Sequence, residues 1–246
     1  RLLTLCTGLY FYLFNKKDFL FYYLIFIIVC SFIIFISVER AAIGLLLIFL
    51  TLFVIFIDIN LLSKIKYTIF LITFLITIVL TLPGLKERIY DNTMNLLLEG
   101  NKLQTFSRGH QEHYISALKM FQDNKITGVG VRNFRLECRK PEYKDIGVNA
   151  CTTHPHNTYI QLLAETGILG FVFVLVLFTS ILKFLIKNMY FMIFNKKNIN
   201  LSKTFFAVAI FINLFPFVPT GSFFNNWLSI MYFLPLAFFY YNPRKN

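Results

Sequence analysis

Uncharged apolar runs, each close to the length of a membrane span, constrain this sequence more than any other feature. They occupy residues 19–38, 41–57, 67–85 and 166–182, and a longer uncharged tract extends over residues 204–243. A helix needs ~20 apolar residues to cross the hydrocarbon core of a bilayer. Hydrophobic residues make up 57% of the 246-residue chain and charged residues 15%, a balance that soluble globular domains do not reach. The sequence therefore predicts an all-α, polytopic membrane bundle.

The last tract is about twice the length of one span, and its middle contains turn-forming residues. Pro219, Thr220, Gly221 and Ser222 favour a turn there, so we divide the tract into a hairpin of two helices. The apolar stretch at residues 2–14 is too short for a complete span, and the chain opens on arginine. We therefore expect about six spans plus a truncated one, and we interpret the chain as the C-terminal portion of a longer protein.

The positions of lysine and arginine predict the orientation of these spans, because short cytoplasmic loops carry an excess of positive charge. Basic residues fall in alternate connections, at Lys16, Lys17, Lys64, Lys66, Lys183, Lys187, Lys196, Lys197, Lys203, Arg244 and Lys245. We place those connections and the C-terminus in the cytoplasm. The predicted domains are membrane spans at 1–84, a large extracytoplasmic loop at 85–157, and further spans at 158–246.

The net charge of +12 does not predict a nucleic-acid partner. Most basic residues outside the long loop lie at predicted cytoplasmic helix ends, where they set topology and attract anionic membrane lipids. The loop contains 11 basic and 8 acidic residues, a net charge of +3, together with all four histidines. That modest positive charge suits an anionic ligand.

The second part of the loop has a clear helical pattern. Residues 108–123 (RGHQEHYISALKMFQD) place Tyr114, Ile115, Leu118 and Phe121 at three- and four-residue steps, which predicts an amphipathic helix. The glycines of residues 128–130 then break the pattern. From Asn157 the sequence is again helical and continues into the span that follows Gly167.

Two cysteines of the loop, Cys138 and Cys151, are disulfide candidates. An oxidising outer compartment permits a bridge, and a loop of 13 positions would be stabilised by up to ~3 kcal/mol in the chain-entropy model. The alternative is two free thiols.

A metal site is not expected. His110 and His113, with Glu112 between them, differ from the metalloprotease spacing, and the loop has no closely spaced pair of carboxylates to hold a divalent ion with phosphate. We interpret these two histidines as solvated residues on the helix surface.

Three segments resemble the O-antigen ligase and O-antigen polymerase superfamily of bacterial envelope glycosyltransferases. Residues 154–170 (HPHNTYIQLLAETGILG) are similar to its most specific signature. Residues 108–134 resemble its arginine, amphipathic helix and Gly-x-Gly turn ending in Asn-Phe, and residues 37–40 (SVER) resemble its earlier arginine motif. Together they cover most of residues 19–177.

The resemblance implies an enzyme that acts at the periplasmic face of the bacterial inner (plasma) membrane, in lipopolysaccharide biosynthesis for the cell envelope. The implied donor is a saccharide linked to undecaprenyl diphosphate. The acceptor of a ligase is a sugar hydroxyl on lipid A-core, whereas that of a polymerase is another lipid-linked repeat unit. Family ligases work without a metal, and no other cofactor is expected.

Two arginines in the segments that resemble the family's arginine motifs are candidates for binding the diphosphate. Arg40 and Arg108 fit this role because a guanidinium binds phosphate oxygens bidentately and stays charged. The alternative for Arg40 is an ordinary interfacial arginine whose side chain reaches the headgroups, and for Arg108 a solvated residue at a helix start.

His156 is the candidate catalytic base. A neutral histidine near pH 7 can take the proton of an acceptor hydroxyl, and His156 follows Pro155 and precedes a helix whose first amides favour anions. The alternative is a structural histidine or one that only binds phosphate. We name His154, Asn157, Tyr159 and Glu165 as supporting residues; a simple interfacial carboxylate is the alternative for the last.

The sequence thus predicts an O-antigen ligase-like, metal-independent glycosyltransferase. A repeat-unit polymerase of the same superfamily is the alternative within the class. A polysaccharide or lipid transporter is the alternative from another class, and it should show ionisable residues near mid-membrane. The predicted spans are nearly free of charge.

Overall fold

A computed structural model describes residues 1–14, 19–81, 84, 108–194 and 199–241. These residues form ten helices and contain no strand. In chain order the helices are α1 (Leu2–Leu13), α2 (Leu20–Ile36), α3 (Arg40–Phe56), α4 (Leu61–Thr81), α5 (Arg108–Asp123), α6 (Phe134–Glu137), α7 (Pro141–Lys144), α8 (Thr158–Ile193), α9 (Leu201–Asn213) and α10 (Asn226–Tyr240). The predicted loop residues 85–107 lie outside the described ones.

Within the part of the chain that the structure describes, two helices are long and apolar enough to cross a membrane, at Leu61–Ile78 and Thr158–Ile193. The apolar helices α1, α2, α3, α9 and α10 are shorter, with 12 to 17 residues. Several apolar side chains of α4 are exposed, including Ile69, Ile72 and Leu80, as expected of a helix that faces lipid. The all-helical class is confirmed, while the count of six spans stays a prediction.

The chain divides into two compact units. The first comprises Arg1–Asn95, Lys183–Asn213 and Leu234–Asn246, and the second comprises Leu96–Leu182 and Leu214–Phe233. The described part of the predicted loop, residues 108–157, therefore lies in the second unit together with the first part of α8 and the connection that follows α9. The two units are described separately below.

Aromatic rings form the core of the first unit around the fully buried Phe205 of α9. The Phe11 ring is stacked on it with centroids 4.8 Å apart, and the Phe53 centroid lies 5.6 Å away. Gly8 allows α1 to approach α9 closely, because a Cβ at that position would lie 2.5 Å from Cδ1 of Phe206. Packing of this kind, rather than burial from water, holds apolar helices together in lipid.

A break in α8 at Gly167 organises the second unit. Gly167 has φ 65° and ψ −160°, a backbone conformation open to almost no residue but glycine. The segment 125–130 docks against this break: the Ile168 amide donates to the Lys125 carbonyl over 2.9 Å, and the Val129 amide donates to the Ala164 carbonyl over 2.8 Å. The turn at residues 128–130 therefore packs directly against the segment 154–170.

Apolar residues of the second unit pack beneath this break. The buried cluster comprises Ala117, Met120, Phe134, Cys138, Tyr143 and Ala164. Cys138 and Cys151 form the disulfide that the sequence suggests, with Cα atoms 5.0 Å apart. The bridge ties the residues just before the signature histidines to the core of α5 and α6.

Candidate active site

His156 has a left-handed backbone conformation, with φ 58°. This region costs a non-glycine residue ~1–2 kcal/mol, so the surrounding contacts must hold it. One of them is the amide of Thr220, which donates to the His156 carbonyl over 2.8 Å. Residues in sparsely populated backbone regions cluster at functional sites, which supports the choice of His156 as a functional residue.

The other three histidines of the chain surround the His156 ring. Ring centroids lie 4.2 Å from His156 for His154, 5.4 Å for His110 and 5.5 Å for His113. The interpretation of His110 and His113 as solvated surface residues is therefore wrong. Helix α5 presents them, one turn apart, to the segment that contains His156, and no local sequence signal reports this long-range pairing.

The cluster favours neutral imidazoles. Burial, followed by the charges of His154, His110 and His113, lowers the pKa of His156 to about 4. Burial also lowers the pKa of His154 and, together with the His110 charge, that of His113. Near pH 7 the His156 ring is therefore uncharged and has a lone pair available for a proton.

Hydrogen bonds orient His154 beside His156. Its Nε2 lies 3.3 Å from the Thr220 carbonyl, and its Nδ1 lies 2.9 Å from the Thr153 hydroxyl. A carbonyl accepts only, so Nε2 carries the proton and Nδ1 accepts from the hydroxyl. This assignment places an ordered, neutral ring against His156.

The end of the loop is bonded to the residue that precedes His113. The Asn149 amide donates to Oε2 of Glu112 over 2.7 Å. The loop approaches this side chain closely at Gly147, where a Cβ would lie 2.4 Å from the Glu112 carboxylate carbon. Nδ1 of His113 is buried and has no partner among the described residues.

Asn157 begins helix α8 and fixes the residue that precedes it. Its Oδ1 accepts from the amides of Tyr159 and Ile160, over 3.0 and 3.2 Å, which is the arrangement of a helix N-cap. Its Nδ2 donates to the Pro216 carbonyl over 2.8 Å. The side chain is thus used structurally at both ends.

The connection 214–224 crosses the start of α8, and we call it the strap. Its hydrogen bonds run from Leu214 to Tyr159, from Pro216 to Asn157, from Thr220 to both His156 and Thr158, from Ser222 and Phe223 to Gln161, and from Phe224 to Arg132. The sequence marked residues 219–222 only as a turn. The structure adds that Thr220 of this turn binds both signature histidines, His156 through its backbone carbonyl and His154 through its ring.

Tyr159 contributes to that attachment rather than to the histidine cluster. Its ring is buried, and its hydroxyl donates to the Leu214 carbonyl over 2.7 Å. Gln161, which the sequence did not single out, is the more central residue. Its amide donates to Ser222 and Glu165 and accepts from the Phe223 amide, so every hydrogen-bonding atom on it is used.

Glu165 links α8 to the turn before α6. The side chain is 1% exposed, and its two oxygens accept from the Phe134 amide at 3.1 Å and from Nε2 of Gln161 at 3.0 Å. These hydrogen bonds compensate the carboxylate for its burial. Removal of the carboxylate would leave both donors unpaired. Glu165 therefore orders the segment around Arg132 and Phe134.

Replacement of Glu165 by alanine should destabilise the protein by about 3 kcal/mol, because two buried donors lose their acceptor. Glu165→Gln should cost less, since one amide oxygen can still accept. Thermal melting in detergent measures both effects, with Glu142→Gln on the exposed α7 as the control. A Glu165→Ala protein that melts like wild type but transfers no sugar would contradict this structural role and assign a chemical one.

The two candidate arginines lie in different units. Arg108 is the first residue of α5, the helix of His110 and His113, and its side chain lies outside the described residues. Arg40 is exposed at the start of α3, directly after a tight turn in which Val38 has φ 55°. A β-branched residue rarely adopts a positive φ, so the turn that presents Arg40 is itself strained.

No group of three His, Cys, Asp or Glu side chains within the described residues has an arrangement that could hold a metal ion. The expectation of metal-independent chemistry stays a prediction.

Comparison with known proteins gives one match. A family model described as O-antigen ligase matches residues 5–175, which is 171 of the 246 residues. No curated protein and no solved structure matches the chain.

Proposed function

Because this chain belongs to the O-antigen ligase family, we propose that it transfers a saccharide from undecaprenyl diphosphate to a sugar hydroxyl of lipid A-core. The observation that carries the proposal is the site around His156, a neutral and partly buried imidazole at the start of α8. Glycosyl transfer to a hydroxyl needs a base at the point where the acceptor approaches.

The proposed step is a single in-line displacement. The acceptor oxygen bonds to the anomeric carbon as the bond from that carbon to the diphosphate oxygen breaks. The hydroxyl proton passes to His156, and undecaprenyl diphosphate leaves with the bonding electron pair. One displacement inverts the anomeric configuration.

Charge explains why a histidine with a low pKa suits this step. Burial and three neighbouring imidazoles disfavour the imidazolium of His156. A bound diphosphate brings negative charge, which raises the pKa of a nearby group. We propose that the donor itself makes His156 basic enough to accept the proton, so that proton transfer is coupled to donor binding.

Arg40 and Arg108 are the proposed diphosphate ligands. Diphosphate is already a good leaving group, so cationic donors that hold its developing charge matter more than a general acid. For this chemistry the membrane orientation must place residues 85–157 in the periplasm and the C-terminus in the cytoplasm, as the distribution of lysines predicts.

The pH dependence of kcat/KM tests the state of His156. A base acts in its neutral form, and a pKa of about 4 keeps it neutral until the pH falls to that range. The profile should therefore be flat from pH ~8 to ~5, whereas an enzyme with an unperturbed imidazole would lose half its activity near pH ~6.5.

The pH dependence of kcat, which reports the donor complex, tests the coupling to donor binding. Its acid limb should lie at higher pH than that of kcat/KM. Coincident limbs near pH ~6.5 would contradict the coupling.

A transfer assay tests the function and the arginines together. Full-length protein is incubated with a purified lipid-linked donor and, separately, with lipid A-core or a second lipid-linked repeat unit as acceptor. Arg40→Ala and Arg108→Ala should each lower the rate about 10²- to 10³-fold, as loss of one oxyanion donor does. Arg135→Ala, which removes an exposed arginine of α6, is the matched control and should transfer like wild type.

The two acceptors separate the proposed activity from its alternatives. Product on lipid A-core alone supports a ligase. Product on the repeat unit alone would assign a polymerase. Transport of the lipid-linked saccharide across a liposome membrane, with no saccharide transferred to either acceptor, would overturn the glycosyltransferase assignment.

A further inference from the structure

A cleft in the first unit lies among α2, α3 and α4, away from every residue assigned above. Its volume is ≈ 500 Å³, within the range of ~300–1,000 Å³ that is usual for ligand pockets. Its walls come from the first half of α2, the last half of α3 and the first half of α4. The three segments lie at one end of their helices, so the cleft is confined to that end.

The cleft wall is hydrocarbon. Ile27, Leu50 and Phe53 line its back and are buried, whereas Phe21 and Phe70 line its edges and are exposed. An apolar channel with an open side accommodates an extended hydrocarbon chain. The polar side chains among its lining residues are those of Lys64, Lys66 and Tyr67, all from the first half of α4.

Positive charge is found at one end of the cleft. Lys64 and Lys66 are its charged lining residues, and both belong to the first turns of α4. The Lys64 ammonium donates to the Ile55 carbonyl over 2.9 Å and also interacts with the Asp58 charge. Lys66 is exposed and has no hydrogen bond or ion pair among the described residues, so its ammonium is available to an anion.

The donor diphosphate is not the occupant of this cleft. Arg40 is the first residue of α3, while Ile57, which lines the cleft, directly follows its last residue. A helix of 17 residues is about 25 Å long, nearly the thickness of the hydrocarbon core. The lysines and Arg40 therefore lie near opposite boundaries of the bilayer.

We infer that this cleft binds one anionic phospholipid, with an acyl chain between α2, α3 and α4 and the phosphate at the Lys66 ammonium beside Lys64. Basic pockets between membrane helices on the cytoplasmic side bind anionic headgroups, and both lysines fall on the side that the charge distribution assigns to the cytoplasm. The inference is independent of the glycosyl transfer proposed above. A stably bound lipid would fill a space that these three helices leave open.

Native mass spectrometry of the full-length protein released from nanodiscs tests the site. The nanodiscs contain equal amounts of phosphatidylglycerol and phosphatidylethanolamine with identical acyl chains. Wild type should retain one phosphatidylglycerol in preference to the zwitterionic lipid. Lys64→Gln with Lys66→Gln should bind it about 30-fold more weakly, which corresponds to ~2 kcal/mol at ~1 kcal/mol for each lysine.

A charge-matched control and a cavity-filling variant make the result specific. Lys183→Gln with Lys187→Gln removes two exposed lysines of α8 that do not line the cleft, and it should leave retention unchanged. Val54→Phe keeps both lysines and narrows the cleft, so it should reduce retention. Equal retention of the two lipids, equal effects of the two lysine pairs, or no retained lipid in wild type would each overturn the inference.

Discussion

Full-length protein in which His156 is replaced by glycine should transfer saccharide about 10²- to 10⁴-fold more slowly than wild type, the range for loss of a general base. Glycine is the sharper choice than alanine because it adopts φ 58° without strain. The variant removes the imidazole and relieves the backbone at once, so the fold should be retained. Rates are measured with lipid-linked donor and lipid A-core.

Three further measurements separate a chemical from a structural role for His156. The glycine variant should melt within a few degrees of wild type. His156→Ala keeps the backbone strain, so it should melt at a lower temperature than the glycine variant. Donor binding should be retained in both, because the arginines provide most of it. Added imidazole should restore part of the rate of the glycine variant. Wild-type transfer by either variant would remove His156 from the mechanism.

Gly167→Ala should have the largest effect on stability, a loss of about 4 kcal/mol or more. A Cβ at Gly167 would lie 2.2 Å from the Ile126 carbonyl oxygen, and the φ of 65° and ψ of −160° are strained for any other residue. The neighbouring backbone is part of the docked turn, so it cannot yield without breaking the hydrogen bonds that define this contact. The expected fall in melting temperature is about 10 °C.

Gly44→Ala is the matched control for this prediction. Gly44 lies inside α3 and has nothing within 4 Å of an added Cβ. Alanine should therefore stabilise the helix by up to ~1 kcal/mol. Melting of both variants is followed in the same detergent by fluorescence-detected gel filtration. Equal melting temperatures for Gly167→Ala and wild type would show that the break in α8 does not need glycine.

Helix positions could be predicted well from the sequence. The run at 19–38 becomes Leu20–Ile36, the run at 41–57 becomes Arg40–Phe56, and the amphipathic pattern at 108–123 forms Arg108–Asp123. These features depend on hydrophobicity and periodicity within one segment, so local residues suffice to define them. The break after Thr166 also had a local signal, the glycine at 167.

The arrangement of the site could be predicted only in part. His156 was chosen from the family signature and from its place before a helix, and the structure adds the left-handed backbone and the strap that holds it. Gln161 was passed over because a glutamine near a helix start has no distinctive local pattern. Its importance comes from Ser222 and Phe223, about sixty positions along the chain.

The sequence by itself determined that this chain is helical, strongly apolar, and built from segments that a bilayer would accept, because each of those properties is a sum over neighbouring residues. Only the tertiary structure places His110 and His113 beside His156. Only it shows that Glu165 is buried and accepts a hydrogen bond from the Phe134 amide. Such contacts join residues far apart in the chain. Their energies depend on the distances between these residues, and those distances are set only when the helices pack against one another.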